Sequence, residues 1–265
     1  MSPMKRLTIL IILLSASIFC FAQVPKKAET VSLNGKNIYY EVYGSGEPLF
    51  LLHGYSHSSQ YWIPYVSDFK EDFEVYIVDL QGHGNSDIFD EDWSIKSVAQ
   101  NLNDLVEYLE KDKIKAIGYS YGGDVLFQLA TINPSLIKSI VTIGALGTWD
   151  IKDYPDWEDH FQYSNLENLT GIKIYQSDDE HIRTILDLFK NYRVKLSEEQ
   201  LKSIQADILL ILGDNDDSIP LEEVTRVRKN LPNSDLWILP NSPHGAHEGN
   251  KNEFVRITKS FLSKN

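Results

Sequence analysis

The sequence predicts an α/β protein, a mostly parallel sheet flanked by helices and carrying an inserted helical cap. Two observations predict it. Short apolar runs such as Leu49–Leu52, Val75–Val78, Ile137–Ile143 and Ile208–Leu212 alternate with segments of helical periodicity. Unbroken apolarity over so few residues is what a strand buried on both faces requires. This alternation then lapses between Ala145 and about Ile204, where no convincing buried strand occurs, and resumes at Ile208. The chain has 265 residues, 42% hydrophobic and 24% charged, an ordinary composition for one α/β unit.

In chain order, residues 1–22 read as a secretory signal. Lys5 and Arg6 form a positive start, Leu7 to Phe21 is almost wholly apolar, and Ala22 is the small residue before cleavage. A lipoprotein signal acylated on Cys20 is the rival, poorly served by the bulky Ile18-Phe19. The expectation is an exported chain, periplasmic or secreted, with no stable membrane anchor. Residues 23–144 form the first part of the sheet domain, 145–204 the cap, and 205–265 the second part.

Ala28–Leu33 and Lys36–Tyr43 read as a hairpin around Asn34-Gly35, since Asn-Gly supplies the positive φ of a tight turn. Gly44-Ser45-Gly46 ends it, and is no dinucleotide loop because Leu49 stands at the third glycine position. Strand Leu49–Leu52 ends at His53-Gly54-Tyr55. Ser56–Phe69 reads as partly helical, interrupted by Pro64. After strand Val75–Val78, Ser94 caps a helix from Ile95 to about Leu109 with Val98, Leu102, Leu105 and Val106 on one face. Two capping boxes, Ser177-x-x-Glu180 and Ser197-x-x-Gln200, open helices in the cap. His160 and His181 read as solvated residues there. A helix over Leu221–Asn230, a strand over Leu236–Leu239 and a helix ending near Leu262 complete the chain.

Charge and cysteine narrow the function. Loss of the leader takes the net charge from −13 to −15, which argues against nucleic acid and anionic membrane surfaces as partners. Cys20 is the only cysteine and leaves with the leader, so the mature chain has neither a disulfide nor a thiol nucleophile.

The chemistry centres on Ile114 to Gly123. A β-branched run enters Gly118-x-Ser120-x-Gly122, and a helical run follows at once. Strand, sharp turn and helix in that order are the setting of a nucleophile elbow, whose strained centre needs small neighbours. A serine hydroxyl needs a base with a near-neutral pKa, and a histidine base needs an acceptor to fix its tautomer. Asp216 follows a later strand and His244 the last one. Asp214 and Asp217 rival the acid, and His247 rivals the base. His53, Ser120, Asp216 and His244 all fall just after strands, at the sheet edge where ligands bind.

These motifs resemble the α/β-hydrolase superfamily, in its capped serine-hydrolase, esterase-like branch. The resemblance rests on His53-Gly54, Asp79 with Gly82-His83-Gly84-x-Ser86, the elbow, Gly213-x-x-Asp216 and His244, and covers the mature chain except the cap. Gln81 and Pro243 stand where the family usually has arginine and glycine. The resemblance implies the α/β-hydrolase fold, with Ser120 as nucleophile, His244 as base then acid, and Asp216 as orienting carboxylate. It implies an oxyanion hole from the backbone N–H groups of Tyr55 and Tyr121, and a structural His53. His83 belongs to its turn.

The expected activity is cleavage of a small to medium carboxylic ester through an acyl-enzyme. His57, Trp62, Tyr119 and Trp149 are candidate pocket residues, and Tyr61 and Tyr121 further candidate aromatics. Serine at the elbow disfavours the family's haloalkane dehalogenases and epoxide hydrolases, which use aspartate there. Carbon–carbon bond hydrolase, lactonase and perhydrolase chemistry remain open on the same three residues, as does a non-catalytic binding module. No cofactor or metal is expected: His53 and His57 lack the glutamate of a zinc helix, and Asp214-x-Asp216 lacks the later ligands of a calcium loop.

Overall fold

The computed structural model describes residues 23–168, 172–176 and 178–264. The leader over 1–22 therefore lies outside the described residues. Strands β1 (Lys27–Leu33) and β2 (Lys36–Gly44) form the expected hairpin, with Asn34 at φ 50° and Gly35 at φ 81°. After β3 (Glu47–Leu52), a short 3-10 turn over Ser59–Trp62 runs straight into α1 (Ile63–Phe69). Pro64 does not interrupt this segment. It sits in the first turn of α1, where the missing N–H leaves no helical bond unmade.

Next come β4 (Phe73–Val78), α2 (Ile95–Tyr108), β5 (Ile114–Tyr119), α3 (Tyr121–Ile132) and β6 (Ile137–Ile143). Ser94 caps α2, its hydroxyl accepting from the Ser97 N–H at 3.1 Å. Between β6 and β7 the described residues hold α4 (Pro155–His160), α5 (Ile172–Tyr175), α6 (Asp179–Asp187), α7 (Glu198–Ser203) and short 3-10 turns. Ser177 lies outside the described residues. Asp178 caps α6 by accepting from the His181 N–H at 2.9 Å. The box at Ser197 and Gln200 forms as expected. Finally come β7 (Asp207–Gly213), α8 (Leu221–Asn230), β8 (Ser234–Leu239) and α9 (Lys251–Leu262).

The eight strands form one sheet in the order β1-β2-β4-β3-β5-β6-β7-β8. β2 runs antiparallel to both neighbours, and the strands from β4 to β8 are parallel. Alternate residues of each central strand enter different cores. Phe50, Leu52, Ala116, Ile140 and Leu210 face the side of α2 and α3, whereas Leu49, Leu51, Ile117, Val141 and Ile211 face the side of α1 and α9. Continuous apolarity in the sequence is thus burial on both faces. Trp62 belongs to the second core and is fully buried against Tyr65, with ring centroids 5.3 Å apart.

Candidate active site

The sheet sets up the site through β5. Leu52 pairs with Gly118 and Tyr119 with Ile143, so β3, β5 and β6 end together. The Ser120 N–H donates to the Ile143 carbonyl at 2.7 Å, and the Ser120 carbonyl accepts the first helical bond from Asp124 N–H at 3.1 Å. Held between sheet and helix, Ser120 adopts φ 49°, ψ −115°, outside the regions open to most side chains. The turn is also crowded: a Cβ on Gly122 would lie 2.5 Å from the Leu52 carbonyl oxygen.

Loops after β7 and β8 bring in the other two residues. The Ser242 N–H donates to Asp214 Oδ1 at 3.2 Å and the Asn215 N–H to the Ser242 carbonyl at 3.0 Å, tying the loops together. His244 Nδ1 then lies 2.8 Å from Asp216 Oδ2, and Nε2 lies 2.9 Å from Ser120 Oγ. The Asp216 side chain is fully buried and its other oxygen accepts from the Ser218 N–H at 2.9 Å. An acceptor on Nδ1 puts the proton there and leaves the Nε2 lone pair for the serine hydroxyl. The neighbouring acids have other partners, Asp214 the Ser242 N–H and Asp217 the Ser218 hydroxyl. Gly144, at φ 61°, lets the imidazole come close: a Cβ there would lie 2.7 Å from the His244 ring.

Tyr55 follows β3 and Tyr121 follows the elbow. Among the described residues no protein group accepts from either backbone N–H. The Tyr55 loop is anchored by two buried histidines. His53 is fully buried, donating from Nδ1 to the Gly54 carbonyl at 2.8 Å and accepting from the Leu80 N–H at 3.0 Å. Burial pushes its pKa down to about 3. His83 accepts from the Ser56 N–H at 3.0 Å, and burial likewise holds it well below the usual histidine range.

A cavity of about 810 Å³ opens over Ser120 and His244. Tyr55, His57, Tyr119 and Trp149 line it, but Trp62, Tyr61 and Tyr121 do not, since all three are packed into the cores. Trp62 comes immediately before α1, and its ring is buried in the core that this helix forms with the sheet, away from the cavity. Much of the wall is aromatic: Trp149 stacks on Tyr154 at 5.0 Å between centroids, and Phe161 meets Phe189 at 4.5 Å. His247 is buried beside Trp62, with Nε2 2.9 Å from the Tyr61 hydroxyl, and lines no part of the cavity. His181 is not solvated. Its Nε2 lies 2.8 Å from the Ser86 carbonyl, fixing the inserted segment to the turn after β4. The side chain of His160 lies outside the described residues.

Three further site residues gave no motif. Asp124, on the first turn of α3, lines the cavity while accepting from the Gly147 N–H at 3.0 Å and the Tyr192 hydroxyl at 2.9 Å. Burial raises its pKa to about 6. Tyr192 reaches it from the insertion. Gln176 accepts from the Gly84 N–H at 2.9 Å and donates to the carbonyls of Ser56 at 3.1 Å and His57 at 3.0 Å.

Sheet order, elbow and the placement of Ser120, Asp216 and His244 define an α/β-hydrolase fold. In keeping with that fold, the alpha/beta hydrolase fold family model matches residues 47–174 of the chain. A soluble epoxide hydrolase from a Corynebacterium species is 34% identical over 108 residues, 41% of this chain and 38% of that protein. The chain thus matches less than half the length of that relative. A pimeloyl-[acyl-carrier protein] methyl ester esterase from Legionella pneumophila is 25% identical over 248 residues, covering 85% of this chain and 99% of the esterase. Among solved structures, a meta-cleavage product hydrolase from Pseudomonas fluorescens superposes with a TM-score of 0.74 at 20% identity, over 89% of this chain and 97% of that one.

Proposed function

We propose that this chain is an exported serine hydrolase that cleaves carboxylic esters through an acyl-enzyme. The observation that carries this reading is the continuous hydrogen-bonded path from Ser120 Oγ through His244 to Asp216, with links of 2.9 and 2.8 Å. Near-full-length similarity to a methyl ester esterase supports the choice of an ester bond. The apolar leader with its positive start supports export.

In this reading His244 Nε2 takes the Ser120 proton as Oγ attacks the ester carbon. Negative charge forms on the carbonyl oxygen and is met by the N–H groups of Tyr55 and Tyr121, each worth about 2.7–4 kcal/mol of transition-state stabilisation. The alcohol leaves with the proton held on His244, producing the acyl-enzyme. Water then enters, gives its proton to His244 and attacks the acyl carbon, and collapse returns that proton to Ser120 as the acid is released. Asp216 keeps the imidazole in the required tautomer throughout. The cavity, at about 810 Å³, has room for more than the small to medium ester expected from sequence, and its aromatic wall suits an apolar acyl or alcohol group.

The test is hydrolysis of p-nitrophenyl acetate, butyrate and octanoate by the mature chain beside Ser120→Ala, Asp216→Asn and His244→Ala. Turnover by the parent with all three variants near background supports the reading. Turnover by Ser120→Ala removes the assigned nucleophile. An inert, folded parent that also ignores a fluorophosphonate probe overturns the ester assignment and favours carbon–carbon bond cleavage or a binding role.

A further inference from the structure

His57 stands in the cavity in a defined hydrogen-bonding state. Its Nδ1 lies 3.0 Å from the Tyr55 carbonyl oxygen, which can only accept. Nδ1 therefore carries the proton, and in the neutral ring Nε2 is a bare acceptor. No protein group among the described residues occupies Nε2, and His57 lines the cavity together with Ser120 and His244. Burial holds its pKa below the ordinary histidine value, against the opposing pull of the Tyr55 carbonyl and Glu248.

The ring has little freedom to turn away. Tyr61 and Tyr175 pack on it with centroids 4.8 and 4.7 Å distant, and Tyr119 lies at 5.9 Å. The backbone beneath it is equally fixed. The His57 N–H donates to the Gly54 carbonyl at 3.1 Å, and Gln176 holds the His57 carbonyl at 3.0 Å. Ser56, between Tyr55 and His57, is held at φ 63° with its N–H on His83. Tyr55 thus presents its N–H where the proposed oxyanion forms and its carbonyl to His57. The free Nε2 is tied to the same short loop that would bind the scissile carbonyl. A partly buried acceptor of this kind discriminates between substrates, because one lacking the donor leaves it unpaired.

We infer that His57 Nε2 is a specificity determinant, selecting esters that carry a hydroxyl or N–H donor near the scissile carbonyl. This rests on the ester-hydrolase reading above. The experiment compares kcat/KM within matched pairs: ethyl lactate against ethyl propionate, ethyl 3-hydroxybutyrate against ethyl butyrate, and 2-hydroxyethyl butyrate against ethyl butyrate. The parent is expected to favour the hydroxylated member by about 10-fold or more in at least one pair. In His57→Phe that ratio falls towards one, and in His57→Gln, whose amide oxygen keeps an acceptor, part of it returns. Ratios near one for every pair in the parent overturn the inference, as does a preference that survives in His57→Phe. Failure of the parent on these esters and on p-nitrophenyl butyrate overturns the ester reading itself, a result distinct from turnover without discrimination.

Discussion

Tyr192 of the inserted segment donates its hydroxyl to Asp124 Oδ2 at 2.9 Å, one turn along the helix that begins at Ser120. Both residues are buried and both line the cavity. The carboxylate also takes the Gly147 N–H, at the point where the chain leaves the sheet for the insertion. One side chain therefore joins the elbow helix to both ends of the segment above it.

Tyr192→Phe removes one of the two donors and leaves a buried carboxyl oxygen unpaired. The expected loss is about 1–3 kcal/mol in unfolding free energy. Denaturant titration measures it directly. Tyr192→Phe also tests the contact's place in the cavity, since a rise in KM should accompany the loss.

Stability should fall with acid, and the sign follows from His53 and His247. Each is held by burial near a pKa of about 3, against about 6.5 in an unfolded chain. Their stabilisation is complete above pH 6.5 and is lost as pH drops towards 3, at up to about 1.4 kcal/mol per pH unit each. Asp124 acts in the opposite sense. Its pKa of about 6 lies above the unfolded value of about 3.9, so the folded state gains relative stability as pH falls from 6 to 4. Asp124→Asn should therefore steepen the acid loss within that window. Unfolding free energies at pH 7, 6, 5 and 4 for parent and variant would show it; equal slopes would contradict the assignment.

Gly144→Ala should cost activity more than fold. The new Cβ would meet the His244 ring at 2.7 Å, and φ 61° is unfavourable for alanine by about 1–2 kcal/mol. Displacing the imidazole by even about 1 Å is expected to lower kcat about 100-fold. Circular dichroism and ester turnover on the same sample separate the two effects.

Gln176→Ala removes three hydrogen bonds between the insertion and the loops after β3 and β4. The expected results are a raised KM and faster proteolytic cleavage within residues 150–193, with sheet-domain fragments surviving. Unchanged proteolysis would mean that other contacts, such as His181 to Ser86, suffice.

The sheet was legible because burial on both faces writes itself as unbroken apolar runs, and Asn34-Gly35 and Ser94 mark a turn and a cap that form as read. That Ser120, Asp216 and His244 come together was legible because each follows a strand at one edge. What escaped lies where contacts cross the sequence without a pattern. Asp124 and Tyr192 are 68 residues apart, and Gln176 and Gly84 are 92 apart, so no spacing announces them. Trp62 misled because an aromatic in the segment after β3 suits a pocket as well as a core, and the direction of a helix decides between them. His181 misled because its partner, the Ser86 carbonyl, lies 95 residues away and no spacing announces the contact. Pro64 was misjudged by one turn, the difference between breaking a helix and starting one.

The two ends of the insertion run side by side. The Val194 N–H bonds to the Trp149 carbonyl at 2.9 Å, the Leu196 N–H to Gly147 at 2.9 Å, and the Ile151 N–H to Tyr192 at 3.1 Å. Residues 150 and 193 bridge, so the segment between them leaves and rejoins the sheet domain through a closed neck. A neck of that kind is a natural splice point. Segments of other lengths and shapes could be exchanged through it without altering the strands below, so the accessible chemistry and the accepted molecule can diverge separately over evolutionary time. A library that replaces residues 152–191 and keeps the neck intact would use that separation directly.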